Sequence, residues 1–390
     1  MIDGSKYLRN NIKNLPPSGI RRFFDLASTM EGVISLGVGE PDFVTPWHIR
    51  EACFYSLEKG YTMYTANAGM IELREEIAKY MYRWQNLTYD PETEVLVTVG
   101  VSEAIDLAFR VLLEDGDEVL IPEPSYVSYV PGTIMAGGTP VVLDTRAEDE
   151  FRLTRDELAR KITPRSKVLL LAFPNNPTGG IMRREDLMDL VDLIVANDLI
   201  VISDEIYGEL TYEGKHVSIA TLPGMKERTV VMNGFSKAFA MTGWRIGYAC
   251  GNRDIIGAMN KLHQYTILCA PIMGQMAALE ALRHGEAEMR RMVEDYDYRR
   301  RLILKGLNDI GMPGFEPRGA FYVFPSISVT GMTSLEFSEM LLKEEKVAVV
   351  PGNAFGKSGE GFVRICYAYS VDHIETALER MGAFIARHHV

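Results

Sequence analysis

Only four of the 390 residues are cysteine, and they stand far apart at Cys53, Cys250, Cys269 and Cys366. Each lies in an apolar stretch. That spacing argues against a disulfide framework or a thiolate metal site and reads as reduced core thiols of a cytosolic protein. Histidine is scarce as well. Its seven residues form no HxxxH or HxH pair, so a bound metal is not expected. Positive charge is in deficit, 41 Lys and Arg against 53 Asp and Glu, for a net charge of −12. A surface for nucleic acid or anionic lipid needs a basic patch that this balance disfavours. No apolar run approaches the roughly 18 residues that span a bilayer. The opening "MIDGSKYLRNNIKNLPPSG" lacks the apolar centre of a signal peptide. Internal repeats and low-complexity tracts are missing too. So are nucleotide fingerprints: no GxGxxG follows a strand-like run. "VAVVPGNAFGKSG" imitates a phosphate loop, but Gly352 and Gly356 enclose three residues instead of four, and a strand-like run follows where a helix should.

What is present is an alternation. Apolar, β-branched runs bounded by turn residues occupy 94–100, 117–122, 139–144, 167–174, 199–205, 228–234 and 245–251. Several are apolar on both faces, as strands of a covered parallel sheet must be. Helical patterns such as 101–115 and 184–199 lie between them. The expected fold is α/β: a large domain with a mostly parallel seven-stranded sheet covered by helices on both faces. Near residue 285 the pattern changes. A long charged amphipathic helix running to Gly311 is followed by short strands, a helix and a final helix from Val371. This reads as a smaller α+β domain. The predicted division is an N-terminal arm at 1–45 packing with the small domain, a large domain at 46–284 and the small domain at 285–390.

Ligands of open α/β sheets bind beyond the carboxyl ends of the strands, so the residues following each run carry the argument. After "VLVTVG" come Val101 and Ser102, opening a helix. Free amides and a hydroxyl there suit a phosphate, although taken alone the turn reads first as a Ser N-cap after a glycine. After "VLLLAF" comes "PNNPTG", a turn that also presents Asn176. "LIVIS" ends in Asp204 and Glu205, carboxylates that an apolar strand end does not bury cheaply without a partner. With no histidine cluster to suggest a metal, an organic cation is the favoured partner, and a helix cap or surface turn is the plain alternative. "TVVMN" leads into "GFSKAFAMTGWRIGY", which holds Lys237 and Arg245 and no carboxylate. Burial and the second cation both push a lysine pKa down, toward the neutral amine that forms Schiff bases. Arg245 stays charged and suits a bidentate grip on phosphate. Two surface cations with buried stems would be the plain alternative.

These stretches resemble the pyridoxal-phosphate-dependent aminotransferases of fold type I, class I, in the aspartate aminotransferase superfamily. "GFSKAFAMTGWRIG" matches that family's cofactor-lysine signature, with Arg eight residues after Lys. "SLGVGEPDFVTP" (35–46), "YTANAGMIELREEIA" (64–78), "NNPTGG" (175–180), "SDEIY" (203–207), "GAFYVFP" (319–325) and "VPGNAFG" with "GEGFVRICYA" (350–368) follow in the family's order. The resemblance implies that Lys237 forms the internal aldimine and shuttles the proton. Asp204 would pair with the pyridine nitrogen, Asn176 and Tyr207 would bind the ring's phenolic oxygen, and Tyr126 would stack on the ring. Arg245, Ser236, Ser102 and the amide of Val101 would hold the phosphate. Tyr64 would reach the phosphate of a neighbouring subunit, implying a homodimer. Arg364 would grip the substrate α-carboxylate, with Asn176 beside it, and Gly39 would let the chain pass close to the substrate.

Two departures bear on this. Many family members carry a Ser three residues before the lysine, where this chain has Gly234. One group of aspartate enzymes places a Lys in the phosphate turn, where this chain has Ser102, and "HQYTILCAPIMG" (263–274) offers no Arg in its stead. The expected reaction is therefore transamination of an aromatic or broad range of L-amino acids, with 2-oxoglutarate or a similar acceptor, in the cytoplasm. By analogy alone the pattern also extends to enzymes acting on N-acetyl-diaminopimelate. A carbon–sulfur β-lyase or another eliminating enzyme on the same fold is the alternative. A sensor lacking turnover is disfavoured, because the resemblance starts by about residue 18 and no DNA-binding unit is expected.

Overall fold

The computed structural model describes residues 2–15 and 30–390. Numbered in chain order, its strands are β1 (Ile34–Ser35), β2 (Val95–Thr98), β3 (Glu118–Glu123), β4 (Thr139–Asp144), β5 (Ser166–Ala172), β6 (Ile200–Asp204), β7 (Thr229–Gly234), β8 (Gly247–Cys250), β9 (Tyr322–Val323), β10 (Val347–Ala348), β11 (Val350–Pro351) and β12 (Val363–Cys366). Strands β2 to β8 form one sheet in the order β2-β8-β7-β6-β5-β3-β4. All seven apolar runs became its strands. Neighbours pair in parallel except at β8, which runs antiparallel to both β2 and β7.

The runs were apolar on both faces because both faces are covered. In β5, Val168, Leu170 and Ala172 pack with Ala104, Leu107 and Ala108 of the helix Gly100–Leu112. Leu169 and Leu171 point the other way, against Leu187, Leu190 and Ile194 of the helix Arg184–Ala196. The period of two thus divides one strand between two cores. Each fully buried leucine among them contributes about 1.5–3 kcal/mol. The edge strand β4 is partly exposed and carries Pro140, which an edge tolerates because one side of its backbone needs no partner. The helix read over 101–115 begins one residue earlier and stops at Leu112. Leu113 is extended there, and Gly116 turns the chain at φ +94°.

The reversed strand matters most for function. Strands β2 and β7 end at one edge of the sheet, and β8, lying between them, begins there. Arg245, just before β8, therefore stands between the turn after β2 and the loop after β7 that carries Lys237. Asp204 ends β6 at the same edge.

The helix Glu286–Asp309 buries Met292, Tyr296, Arg299, Arg300, Ile303 and Leu307, a stripe at helical spacing. It leads into an antiparallel sheet in the order β11-β12-β9. The helix Val371–His388 packs against it. Ile34 and Ser35 pair in parallel with Val347 and Ala348, while residues 16–29 of the expected arm lie outside the described residues. Cys53, Cys250 and Cys366 are buried, Cys269 is half-buried, and all four are free thiols. No described helix is long and apolar enough to cross a membrane. No described group of His, Cys, Asp and Glu could hold a metal ion.

Candidate active site

A cavity of about 350 Å³ opens at the carboxyl edge of the sheet. Val101, Ser102, Tyr126, Asn176, Asp204, Tyr207, Ser236, Lys237, Arg245, Arg364 and Gly39 all line it. Of the residues given a role by the family resemblance, only Tyr64 does not, and it stands exposed on the surface of the chain; Glu205, beside Asp204, is buried outside the cavity against Ser203 and His216.

Strand β2 passes through Gly100, at φ +70°, into its helix. The residue before the helix is Val99, which makes no side-chain cap. Ser102 is therefore not an N-cap but lies in the first turn, lining the cavity beside the free amides. A Cβ on Gly100 would come 2.3 Å from Nη2 of Arg245, so the glycine makes room for the guanidinium. Arg245 is itself left-handed, at φ +57°, and its Nη1 donates to the carbonyl of Thr242 at 2.9 Å. Gly234 is equally constrained: a Cβ there would lie 2.9 Å from Cα of Gly247. A serine at this point would meet the same contact between β7 and β8.

Nζ of Lys237 donates to the carbonyl of Gly39 at 2.8 Å. Burial lowers its pKa from the ordinary 10.5 to about 8, and the nearby positive charges of Arg364 and Arg245 push the same way. Asp204 moves oppositely. Burial raises it from 3.8 to about 6, against hydrogen bonds from the Tyr129 hydroxyl at 2.9 Å and the amide of Ile206 at 3.2 Å. A cation brought against Asp204 would reverse that cost.

Arg364 rises from β12 into the far wall. Nη1 donates to Oδ1 of Asn176 at 2.9 Å, and Nη2 donates to the carbonyl of Gly37. Its guanidinium lies 4.6 Å over the ring of Tyr322 and 4.9 Å over that of Phe355. Nε is buried without a hydrogen-bond partner. With Oδ1 of Asn176 committed to Arg364, its Nδ2 remains as the donor toward the cavity.

Sequence reasoning missed Tyr129 and Tyr322. Tyr129 stands three residues after Tyr126 in "YVSY", a spacing that keeps both on one side of a helical turn, and their rings meet edge-on at 5.6 Å. Tyr322 lay within the quoted "GAFYVFP", but nothing local marks its ring as entering the cavity. Its hydroxyl is 2.7 Å from that of Tyr207.

The geometry therefore offers a helix N-terminus and an arginine that could cradle an anion, a buried amine, a carboxylate without a cationic partner among the described residues, and a second arginine in the wall whose charge could take a carboxylate. That set suits a phosphorylated aldehyde with a basic ring nitrogen, bound together with an amino acid. The comparisons agree. The aminotransferase class I and II family matches residues 31–381. The aspartate aminotransferase of Pyrococcus abyssi is 49% identical over 94% of this chain and 95% of its own. Aromatic-amino-acid aminotransferase 2 of Thermococcus litoralis is 46% identical over 96% and 97%. The crystal structure of an aromatic aminotransferase from Pyrococcus horikoshii OT3 superimposes with a TM-score of 0.90, at 47% identity, over 94% of this chain and 99% of that one. The chain belongs to the class I and II aminotransferases. It is an aminotransferase that depends on pyridoxal 5′-phosphate.

Proposed function

We propose that the chain transfers the amino group of an L-amino acid, aromatic or broad in range, to 2-oxoglutarate or a similar 2-oxo acid, with Lys237 as the residue joined to the cofactor. One observation carries the reading: Lys237, Arg245, Asp204 and Arg364 converge on one cavity, and none forms a salt bridge among the described residues. Their partners are then the cofactor and the substrate.

When bound, pyridoxal phosphate supplies an electron sink that lowers the cost of removing a proton from the substrate Cα. The chain's own residues do the rest. Arg245, the amide of Val101 and the hydroxyls of Ser102 and Ser236 hold the phosphate. Asp204 keeps a proton on the ring nitrogen. Asn176 Nδ2 and the Tyr207 hydroxyl donate to the ring oxygen, and Tyr126 covers the ring face. Arg364 fixes the α-carboxylate, with Gly39 near the substrate. Lys237, with its amine pKa drawn down to about 8, moves the proton from Cα.

The aromatic preference is supported by the cavity's inventory. Among the described residues its cations are Lys237, Arg245 and Arg364, each already engaged. No fourth one there meets a distal carboxylate. Val38, Ile105 and Pro174 are among the apolar residues that line the rest of the cavity. A homodimer, with each Tyr64 reaching the phosphate of the other subunit, is supported by the exposure of Trp47, Phe54, Tyr55, Met63 and Tyr64 in one span of chain. A cytoplasmic location is supported by the free thiols, and the division into 1–45, 46–284 and 285–390 by the change of architecture after the large sheet.

A donor screen against 2-oxoglutarate tests the substrate, with phenylalanine and tyrosine expected to outpace aspartate; the reverse order defeats that preference. Donor supplied without any oxo acid should stop after one stoichiometric half-reaction, and continuous ammonia release would indicate a lyase instead. Lys237→Ala should bind cofactor without turnover, and full activity in it would sink the assignment.

A further inference from the structure

We propose that Tyr322 is a positioning residue for the reaction, its hydroxyl setting the strength with which Tyr207 donates to the cofactor's ring oxygen. The inference rests on the role given to Tyr207 above.

Tyr322 belongs to β9 of the three-stranded sheet, yet its ring lines the cavity and is almost wholly buried. Its oxygen lies 2.7 Å from the Tyr207 oxygen, a distance that requires one proton between them. A phenol has a single proton. If that of Tyr207 points to the ring oxygen, only the proton of Tyr322 can fill the gap. Tyr322 then donates and Tyr207 accepts. A hydroxyl that accepts while donating is the stronger donor, because each bond polarises the next. Burial raises both phenols above their ordinary values, so both carry their protons at neutral pH.

The position of the Tyr322 hydroxyl is built into the chain. A Cβ on Gly39 would come 2.1 Å from it. Gly39 does not adopt a positive φ, so conformation does not demand a glycine there; the Tyr322 hydroxyl does. The sequence suggested that Gly39 admits the substrate. The structure shows that its missing side chain admits Tyr322. The carbonyl of the same Gly39 accepts from Nζ of Lys237, and the guanidinium of Arg364 rests on the Tyr322 ring. Packing and the stacked arginine need only a phenyl ring. A buried hydroxyl costs desolvation that a Phe would avoid, so the oxygen itself has a task, and its one hydrogen-bond partner among the described residues is Tyr207.

The test uses the holoenzyme and reads the pH midpoint of the visible absorbance of the Lys237-bound cofactor. A weaker donor at the ring oxygen leaves more negative charge there, and the neighbouring proton is held more tightly. Tyr322→Phe should therefore move the midpoint upward by several tenths of a pH unit, in the direction of Tyr207→Phe but less far. Gly39→Ala, which displaces the hydroxyl and keeps Tyr322, should move it the same way. Because the ring stays over Arg364, the dissociation constant of the unreactive carboxylate 3-phenylpropanoate should stay within about twofold in Tyr322→Phe. An unmoved midpoint in Tyr322→Phe, alongside a shift in Tyr207→Phe, overturns the proposal. No shift in either variant shows instead that Tyr207 does not serve the ring oxygen, and the reading beneath the proposal fails.

Discussion

The Tyr129 hydroxyl donates a 2.9 Å hydrogen bond to Oδ2 of Asp204, and both side chains are buried. Tyr129 opens the helix Tyr129–Met135, which packs against β3 and β4, and its side chain reaches across to the end of β6. The bond holds the carboxylate in one orientation and partly offsets the burial that pushes its pKa up.

Tyr129→Phe removes that donor. A hydrogen bond to a charged group contributes about 1.5–3 kcal/mol. The Asp204 carboxyl moves further up and becomes a poorer partner for a protonated ring nitrogen. We expect kcat/KM to fall by about tenfold or more, since 1.36 kcal/mol is one factor of ten. Steady-state kinetics of the variant decide it, and unchanged kcat/KM would remove Tyr129 from the site's support.

Asp204 costs the cofactor-free protein stability. Its pKa is about 6 folded against an ordinary 3.8. The folded chain therefore binds this proton more tightly than the unfolded chain, and stability is lost as pH rises from about 4 to about 6. Above that window the cost is complete, about 3 kcal/mol. Asp204→Asn should stabilise the apoprotein near pH 8, with the gain gone near pH 4, while abolishing turnover. Urea denaturation of both apoproteins at about pH 4 and about pH 8 measures it; equal gains at the two would contradict the assignment.

Gly100→Ala strikes the phosphate cradle in two ways. The residue holds φ +70°, and the added Cβ meets Nη2 of Arg245 at 2.3 Å. We expect the dissociation constant for pyridoxal phosphate to rise by about tenfold or more, from strain of about 1–3 kcal/mol and a displaced guanidinium. Fluorescence titration of the apoprotein reads the change. Wild-type affinity would mean that Arg245 does not need its present place.

Arg364→Lys keeps the charge and loses the fork. One ammonium cannot reach Asn176 and Gly37 as the guanidinium does and still face a carboxylate with two donors. KM for the amino donor should rise by about tenfold to a hundredfold, with a smaller change in kcat. Substrate-saturation curves separate the two constants, and an unaltered KM would place the carboxylate elsewhere.

Much of this site could be read before folding. Lys237, Asp204, Asn176 and the Gly100–Ser102 turn were found because each follows an apolar run, and in a covered parallel sheet the ends of such runs share one edge. Ser102 was ambiguous because a phosphate turn and an N-cap use the same residue types. The structure removes the N-cap reading by starting the helix at Gly100.

The sequence by itself determined the seven strands, the helices between them, the change of pattern near residue 285 and the chemistry at the strand ends. Periodicity, turn residues and unpaired charge are local properties and survive in one dimension. Only the tertiary structure decided that β8 runs backwards between β2 and β7, which sets Arg245 against Gly100. Only it brought Tyr129 to Asp204, 75 residues on, and the Tyr322 hydroxyl into the space beside Gly39. Those choices depend on which surfaces fit when the elements pack. The fit lies in atoms far apart along the chain, which no local pattern records.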